Sequence, residues 1–201
     1  MISTTTSVHP SPSCTSDSRI QWDLTPSSIT GESLLRLSGD LKPGWLGRLS
    51  SHLSHRKINI MRGTARKCGP LCWESSFEIQ GRRNLSDPIE KFDPLPAIMG
   101  SAAQVELPQL KISDFKVEHS THHNGSIYTE ITGGDCIGFL YGILRTFSFY
   151  SLFPTELEIA TTGKTAHDRF WLKGIGASVP TEEDLNTLHG RLSLMLSNSK
   201  D

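Results

Sequence analysis

Two stretches of this 201-residue chain repeat one another at a fixed spacing, which constrains the fold more than any other feature. Gly31, Leu35, Pro43-Gly44-Trp45-Leu46, Leu49, Leu53 and Gly69 each recur 94 residues later. Their counterparts are Gly125, Thr129, Ile137-Gly138-Phe139-Leu140, Ile143, Phe147 and Gly163. Past the last glycine the spacing slips to 93, pairing Phe77 with Phe170 and Ile79 with Leu172. A duplicated unit of this length implies two small domains of one fold, so any function must suit a pair.

Each copy parses into the same elements. In the second copy, 115–120 alternates as a strand, 121–125 turns and 127–131 returns. Gly133-Gly134-Asp135 then leads into a helix whose Leu140, Ile143 and Phe147 share one face. A strand with Leu157 and Ile159 facing inward turns at Thr162-Gly163 into one with Ala166, Asp168, Phe170 and Leu172 on one side. Thr181-Glu182-Glu183-Asp184 reads as a capped helix start ahead of a stripe of Leu185, Leu188, Leu192 and Met195. In the first copy, strands at 20–24 and 33–38 precede a helix carrying Leu46, Leu49 and Leu53, and strands at 57–67 and 71–80 follow. Ser86-Asp87-Pro88 can start a second helix, which Pro94 and Pro96 are expected to end almost at once.

The order β-β-α-β-β-α is a permuted split βαβ, or ferredoxin-like, α+β sheet. Its leading strand is expected to fill the slot that the last strand takes in the unpermuted form. The expected division is a disordered Ser/Thr/Pro-rich tail at 1–18, a first domain at 19–112 and a second at 113–201.

Composition narrows the function classes. A formal net charge of −1 argues against a general binder of polyanions. Arg56, Lys57, Arg62, Arg66 and Lys67 form a basic strand region, but the stacking aromatics of an RNA-binding sheet are missing beside it. No stretch has the ~18 uninterrupted apolar residues of a membrane span. The tail has no apolar core of a secretory signal, so the expected location is the cytoplasm, with Cys14, Cys68, Cys72 and Cys136 as reduced thiols. Neither G-x-S-x-G nor a phosphate-cradling G-x-x-x-x-G-K-[ST] occurs, and catalysis is not expected. His52 and His55 ahead of Cys68 and Cys72 match no strong zinc spacing, and His119, His122 and His123 read as a solvated turn. No metal or cofactor is expected.

Asp40-Leu41-Lys42-Pro43-Gly44-Trp45-Leu46 and Asp135-Cys136-Ile137-Gly138-Phe139-Leu140 resemble the helix-opening loop of the ACT domains. These are ferredoxin-like modules that bind amino acids and regulate enzymes. The stretch 159–172, with Ile159, Thr161, Gly163, Ala166, Asp168 and Phe170, is similar to I-x-T-x-G-x-x-A-x-D-x-F. That pattern occurs in the tandem ACT domains ending the PII uridylyltransferases and in plant ACT-repeat proteins. The resemblance spans roughly residues 20–197, none of it a transferase domain. It implies a tandem ACT protein that binds an amino acid, works as a homodimer or on a regulated enzyme, and binds neither nucleic acid nor membrane. A ligand-free interaction module is the rival.

A chain entering a helix through glycine offers N–H groups at the positive helix end, where a carboxylate fits. The neighbouring aspartate can take an α-ammonium. The resemblance therefore places ligand contacts at Asp40, Leu41, Lys42, Pro43, Gly44, Trp45, Leu46, Asn59, Ile60, Asp135, Gly138 and Phe139. The first loop is favoured, because it keeps Pro43 and the Asn59-Ile60 pair, where the second copy has Phe153-Pro154. The basic strand of one copy also aligns with an acidic strand, Glu156 to Ala160, in the other. Those two edges are expected to pair, within the chain or across a dimer.

Overall fold

The structure, a computed structural model, describes residues 19–29, 31–81 and 89–199. Eight strands form one antiparallel sheet, accompanied by four α-helices among the described residues. In chain order these are β1 (Gln21–Pro26), β2 (Glu32–Asp40), α1 (Trp45–His55), β3 (Ile58–Lys67), β4 (Cys72–Gly81) and α2 (Pro94–Met99). The second half has β5 (Ile112–Ser120), β6 (Ser126–Gly134), α3 (Phe139–Phe149), β7 (Phe153–Thr162), β8 (Thr165–Lys173) and α4 (Glu182–Ser197). The tail at 1–18 and the Ser86-Asp87-Pro88 helix start lie outside the described residues.

The repeat is visible in the backbone. Helices α1 and α3 begin 94 residues apart, each after a left-handed glycine, Gly44 at φ 79° and Gly138 at φ 87°. A side chain pays a steric penalty at that φ, which is why glycine occupies both places. The sheet order β1-β2-β4-β3-β7-β8-β6-β5 reads alike from either edge. In both halves the leading hairpin strand takes the outer position.

The two halves meet through β3 and β7, antiparallel, with Arg62 opposite Ala160, Thr64 opposite Glu158 and Arg66 opposite Glu156. The expected joining of these edges therefore occurs within the chain. Gly63 lies on this seam, where a Cβ would come 2.4 Å from the Phe77 ring and 2.6 Å from the Ser76 carbonyl.

Alternation along the strands buries one sheet face. Leu35, Leu37, Phe77, Ile79, Leu157, Ile159, Phe170 and Leu172 join Leu46, Leu49, Leu53, Leu140, Ile143 and Phe147 in one apolar cluster spanning both halves. The six helix residues are at most 6% exposed, as their spacing predicts. Phe147 meets Phe170 edge to face at 5.0 Å, and Trp45 meets Trp73 at 5.5 Å. The opposite face carries ion pairs: Arg62 with Glu32 at 2.8 Å and with Glu78, and Arg169 with Glu158 at 3.2 Å.

Two expectations need correction. Pro94 and Pro96 do not end a helix; they open α2, with Pro94 at its first position and Asp93 accepting from the Leu95 N–H at 2.9 Å. A proline at the start of a helix forfeits no hydrogen bond, so the same residue reads either way until its cap is seen. Strand β3 starts at Ile58 rather than Lys57, because Lys57 takes φ 59° in leaving α1. The expected start of α4 holds, with Thr181 and Asp184 in a reciprocal capping box.

Candidate functional site

Asp135 sits in the short link from β6 to α3, and three contacts from other parts of the chain place that link. Its backbone N–H donates to the Lys164 carbonyl at 2.9 Å, fastening the link to the β7–β8 turn. The preceding Gly134 N–H donates to Lys111, in the segment joining the halves, also at 2.9 Å. Most telling, the Asn59 side-chain amide donates to the Asp135 carboxylate at 2.7 Å. Asn59 belongs to β3 of the other half, so this hydrogen bond crosses the seam.

Beneath this pair lies a cavity lined from both halves: Ser50, Leu53, Ile58, Asn59 and Ile60 from one, Asp135, Gly138, Phe139, Thr161 and Asp168 among those of the other. It leaves about 20 Å³ in which the centre of a water-sized group can sit. The mouth is bordered by the start of α3. A Cβ on Gly138 would lie 2.7 Å from the Ser54 hydroxyl and 3.4 Å from Pro108, so glycine is needed there for space as well as for φ.

Burial pushes the Asp135 carboxyl above the usual carboxylate range, and the hydrogen bonds from Asn59 and the Cys136 N–H oppose that rise. Asp168 is buried more deeply, at 1% exposure. Burial first, then the nearby Asp135 charge, pushes it up to about 8, while the Ala160 N–H draws it down. One Asp168 oxygen and the Thr161 hydroxyl are buried without a hydrogen-bond partner among the described residues. Such orphaned polar atoms are uncommon in folded interiors and call for a reason.

The expected site residues divide between two places. Asn59, Ile60, Asp135, Gly138 and Phe139 line the one cavity. Asp40, Leu41, Lys42, Pro43, Gly44, Trp45 and Leu46 do not line it. Asn59 and Ile60 therefore lie beside the second loop, not the first with which the sequence grouped them. Arg48 explains part of the difference: its guanidinium donates to Pro43 at 3.0 Å, Lys42 at 3.4 Å and Ile98 at 2.8 Å, sitting over the first loop. Trp45 and Leu41 are in the core, at 2% and 1% exposure. Neither helix start has a side-chain cap, so Asp135 is not simply an N-cap of α3.

The other weighed clusters have local explanations. His52 bonds the Ser101 carbonyl at 2.9 Å, His119 bonds Glu182 at 2.8 Å and His123 bonds Glu156 at 2.8 Å. Cys68 and Cys72 close the β3–β4 turn with their sulfurs 2.7 Å apart. Among the described residues no three or more His, Cys, Asp or Glu side chains group so as to hold a metal ion. No helix among them is long and apolar enough to cross a membrane. Arg62 and Arg66 of the basic strand are bonded to Glu78 at 2.6 Å and Glu74 at 2.9 Å, which neutralises much of its charge.

Sequence reasoning missed Asp168 and Thr161 as site residues. The signal was available: both lie on inward rows otherwise filled by Leu157, Ile159, Ala166, Phe170 and Leu172. A carboxylate on an apolar row is itself an anomaly. No protein-family model matches the chain, and no curated protein was found that matches it.

Proposed function

We propose that the chain is a non-catalytic regulatory protein, an amino-acid sensor made of two ferredoxin-like, ACT-like domains at 19–112 and 113–201. The observation that carries this reading is the Asn59–Asp135 hydrogen bond at 2.7 Å over a cavity built from both halves. An α-carboxylate would meet N–H groups of the first α3 turn beyond Phe139, whose own N–H is taken by the Cys136 carbonyl, and the α-ammonium would turn toward the carboxyl groups of the cavity. Because both halves line the cavity, a ligand there would stiffen their junction, and a change at the junction is a signal a partner can read. A regulated enzyme, or a second copy in a homodimer, is the partner this reading implies, in a cytoplasmic setting. Neither a cofactor nor a nucleic acid enters the proposal.

Thermal shift against the twenty common amino acids tests the reading. A ligand at one hundred times its Kd stabilises by ~2.7 kcal/mol, and Asp135→Ala should abolish that gain. If no amino acid stabilises the protein, the chain is instead a ligand-free interaction module.

A further inference from the structure

We infer that the chamber under the Asp135 loop is a receptor for one ammonium group, held by Asp168 and Thr161, so that its ligand is a primary amine. The inference deepens the amino-acid reading by assigning the amine end of the ligand to residues outside the loop. Three observations converge on it.

The first is polarity. A buried oxygen of Asp168 and the Thr161 hydroxyl, in residues 1% and 7% exposed, have no hydrogen-bond partner and line the same cavity. Both can accept a hydrogen bond, and a donor with several hydrogens satisfies the two at once. The second is charge. Asp135 and Asp168 line the cavity, and among the described residues no Lys, Arg or His does. At its buried end a cation meets Asp168, whose ionised form attracts it strongly in a poorly solvated setting. The third is size. About 20 Å³ accepts the centre of one water-sized group, which fits an ammonium and excludes a guanidinium or a quaternary amine.

The ionisable groups facing the chamber are Asp168 on β8, Asp135 on the β6–α3 link and Tyr141 on α3; Asn59 on β3 and Thr161 on β7 are neutral. With burial and Asp135 holding Asp168 up at about 8, its carboxyl is mostly protonated at neutral pH. An entering ammonium favours the carboxylate, so Asp168 gives its proton to solvent as the amine binds. Affinity therefore rises with pH toward 8 and levels off above it, as long as the amine keeps its own charge.

The test uses the full chain and methylammonium chloride, followed by NMR of the backbone amides. Tetramethylammonium chloride at matched ionic strength is the control. Saturable shifts at Thr161, Asp168 and their neighbours are expected with methylammonium alone. They should be lost in Asp168→Asn, which keeps size and removes the charge, and weakened in Thr161→Val. Circular dichroism checks that both variants fold. Equal responses to the two salts, no saturation, or an unaltered Asp168→Asn response would mean that the chamber holds water only, and would overturn the inference. Methylammonium binding with no response to any amino acid would leave this inference standing while the sensor reading fails. An amino acid that binds Asp168→Asn undiminished would do the reverse.

Discussion

Arg66 lies directly opposite Glu156 across the seam between β3 and β7, yet its guanidinium bonds Glu74 of its own half, at 2.9 Å. Glu156 in turn bonds His123 at 2.8 Å. Opposite charges thus face one another at the junction while each is chiefly paired within its own half. Backbone pairing and the shared apolar cluster hold the halves together, and charge adds only a bias.

The first prediction follows for charge reversal. Arg62 faces Ala160, not Glu156, and it neutralises Glu32, whose side chain is 6% exposed, together with Glu78. Arg62→Glu should therefore destabilise by roughly 2–4 kcal/mol, because buried Glu32 loses its counter-charge. Glu156→Arg should not rescue it. For Arg66→Glu with Glu156→Arg, the double-mutant cycle should give a coupling of only ~0–1 kcal/mol. Urea titration of the variants measures both, and a large Arg62–Glu156 coupling would contradict the register argument.

A second prediction concerns cooperativity. Leu49 and Ile143 are both fully buried in the cluster that spans the halves. Truncating either to Ala should cost ~2–5 kcal/mol. Since the sheet is continuous, the loss should lower one common unfolding transition, whichever half carries the change. Two separate calorimetric transitions would show that the halves melt independently.

The third prediction is the pH dependence of stability. Asp168 is raised to about 8 in the folded chain, from an ordinary value of 3.8. The folded state thus binds more protons than the unfolded state between those limits. Stability from this group is full below about 4, falls as pH rises and levels off above about 8. The slope is at most roughly 1.4 kcal/mol per pH unit. Asp168→Asn should flatten the curve and stabilise the protein most at its alkaline end. An unchanged curve would show that Asp168 does not titrate in this window.

How much of this was legible in the sequence depends on distance along the chain. The repeat locates α1, α3 and their glycine entries, because spacing and local conformation are encoded within a few residues. The inward rows of β7 and β8 follow from alternation, which gives the direction of Asp168 but not whether its oxygens find partners. Helix α2 was hidden by Pro94 and Pro96, whose meaning depends on Asp93 as cap. The pairing of Asn59 with Asp135 could not be read from either copy alone. It is decided by the antiparallel β3–β7 seam, which carries the start of β3 toward the β7–β8 turn, where Lys164 also holds Asp135. The antiparallel seam exchanges such residues between halves, so nearness along one copy did not show that Asn59 lies beside Asp135.

The last prediction separates the two loops. Asn59 reaches Asp135, whereas the corresponding place in the second half is taken by Phe153-Pro154, which has no side-chain amide to offer the first loop. Arg48 moreover covers that loop by bonding the Lys42 and Pro43 carbonyls. Asn59→Ala removes a hydrogen bond to a half-buried carboxylate and should cost roughly 1–3 kcal/mol of stability. It should also let the Asp135 carboxyl rise further, since the Asn59 bond is what chiefly opposes burial there. On the proposed sensor reading, amino-acid affinity should fall about tenfold, the equivalent of ~1.4 kcal/mol. Asp40→Ala should leave affinity unchanged. Calorimetric titration of both variants decides the matter: if Asp40→Ala weakens binding and Asn59→Ala does not, the ligand sits at the first loop and the seam site is structural.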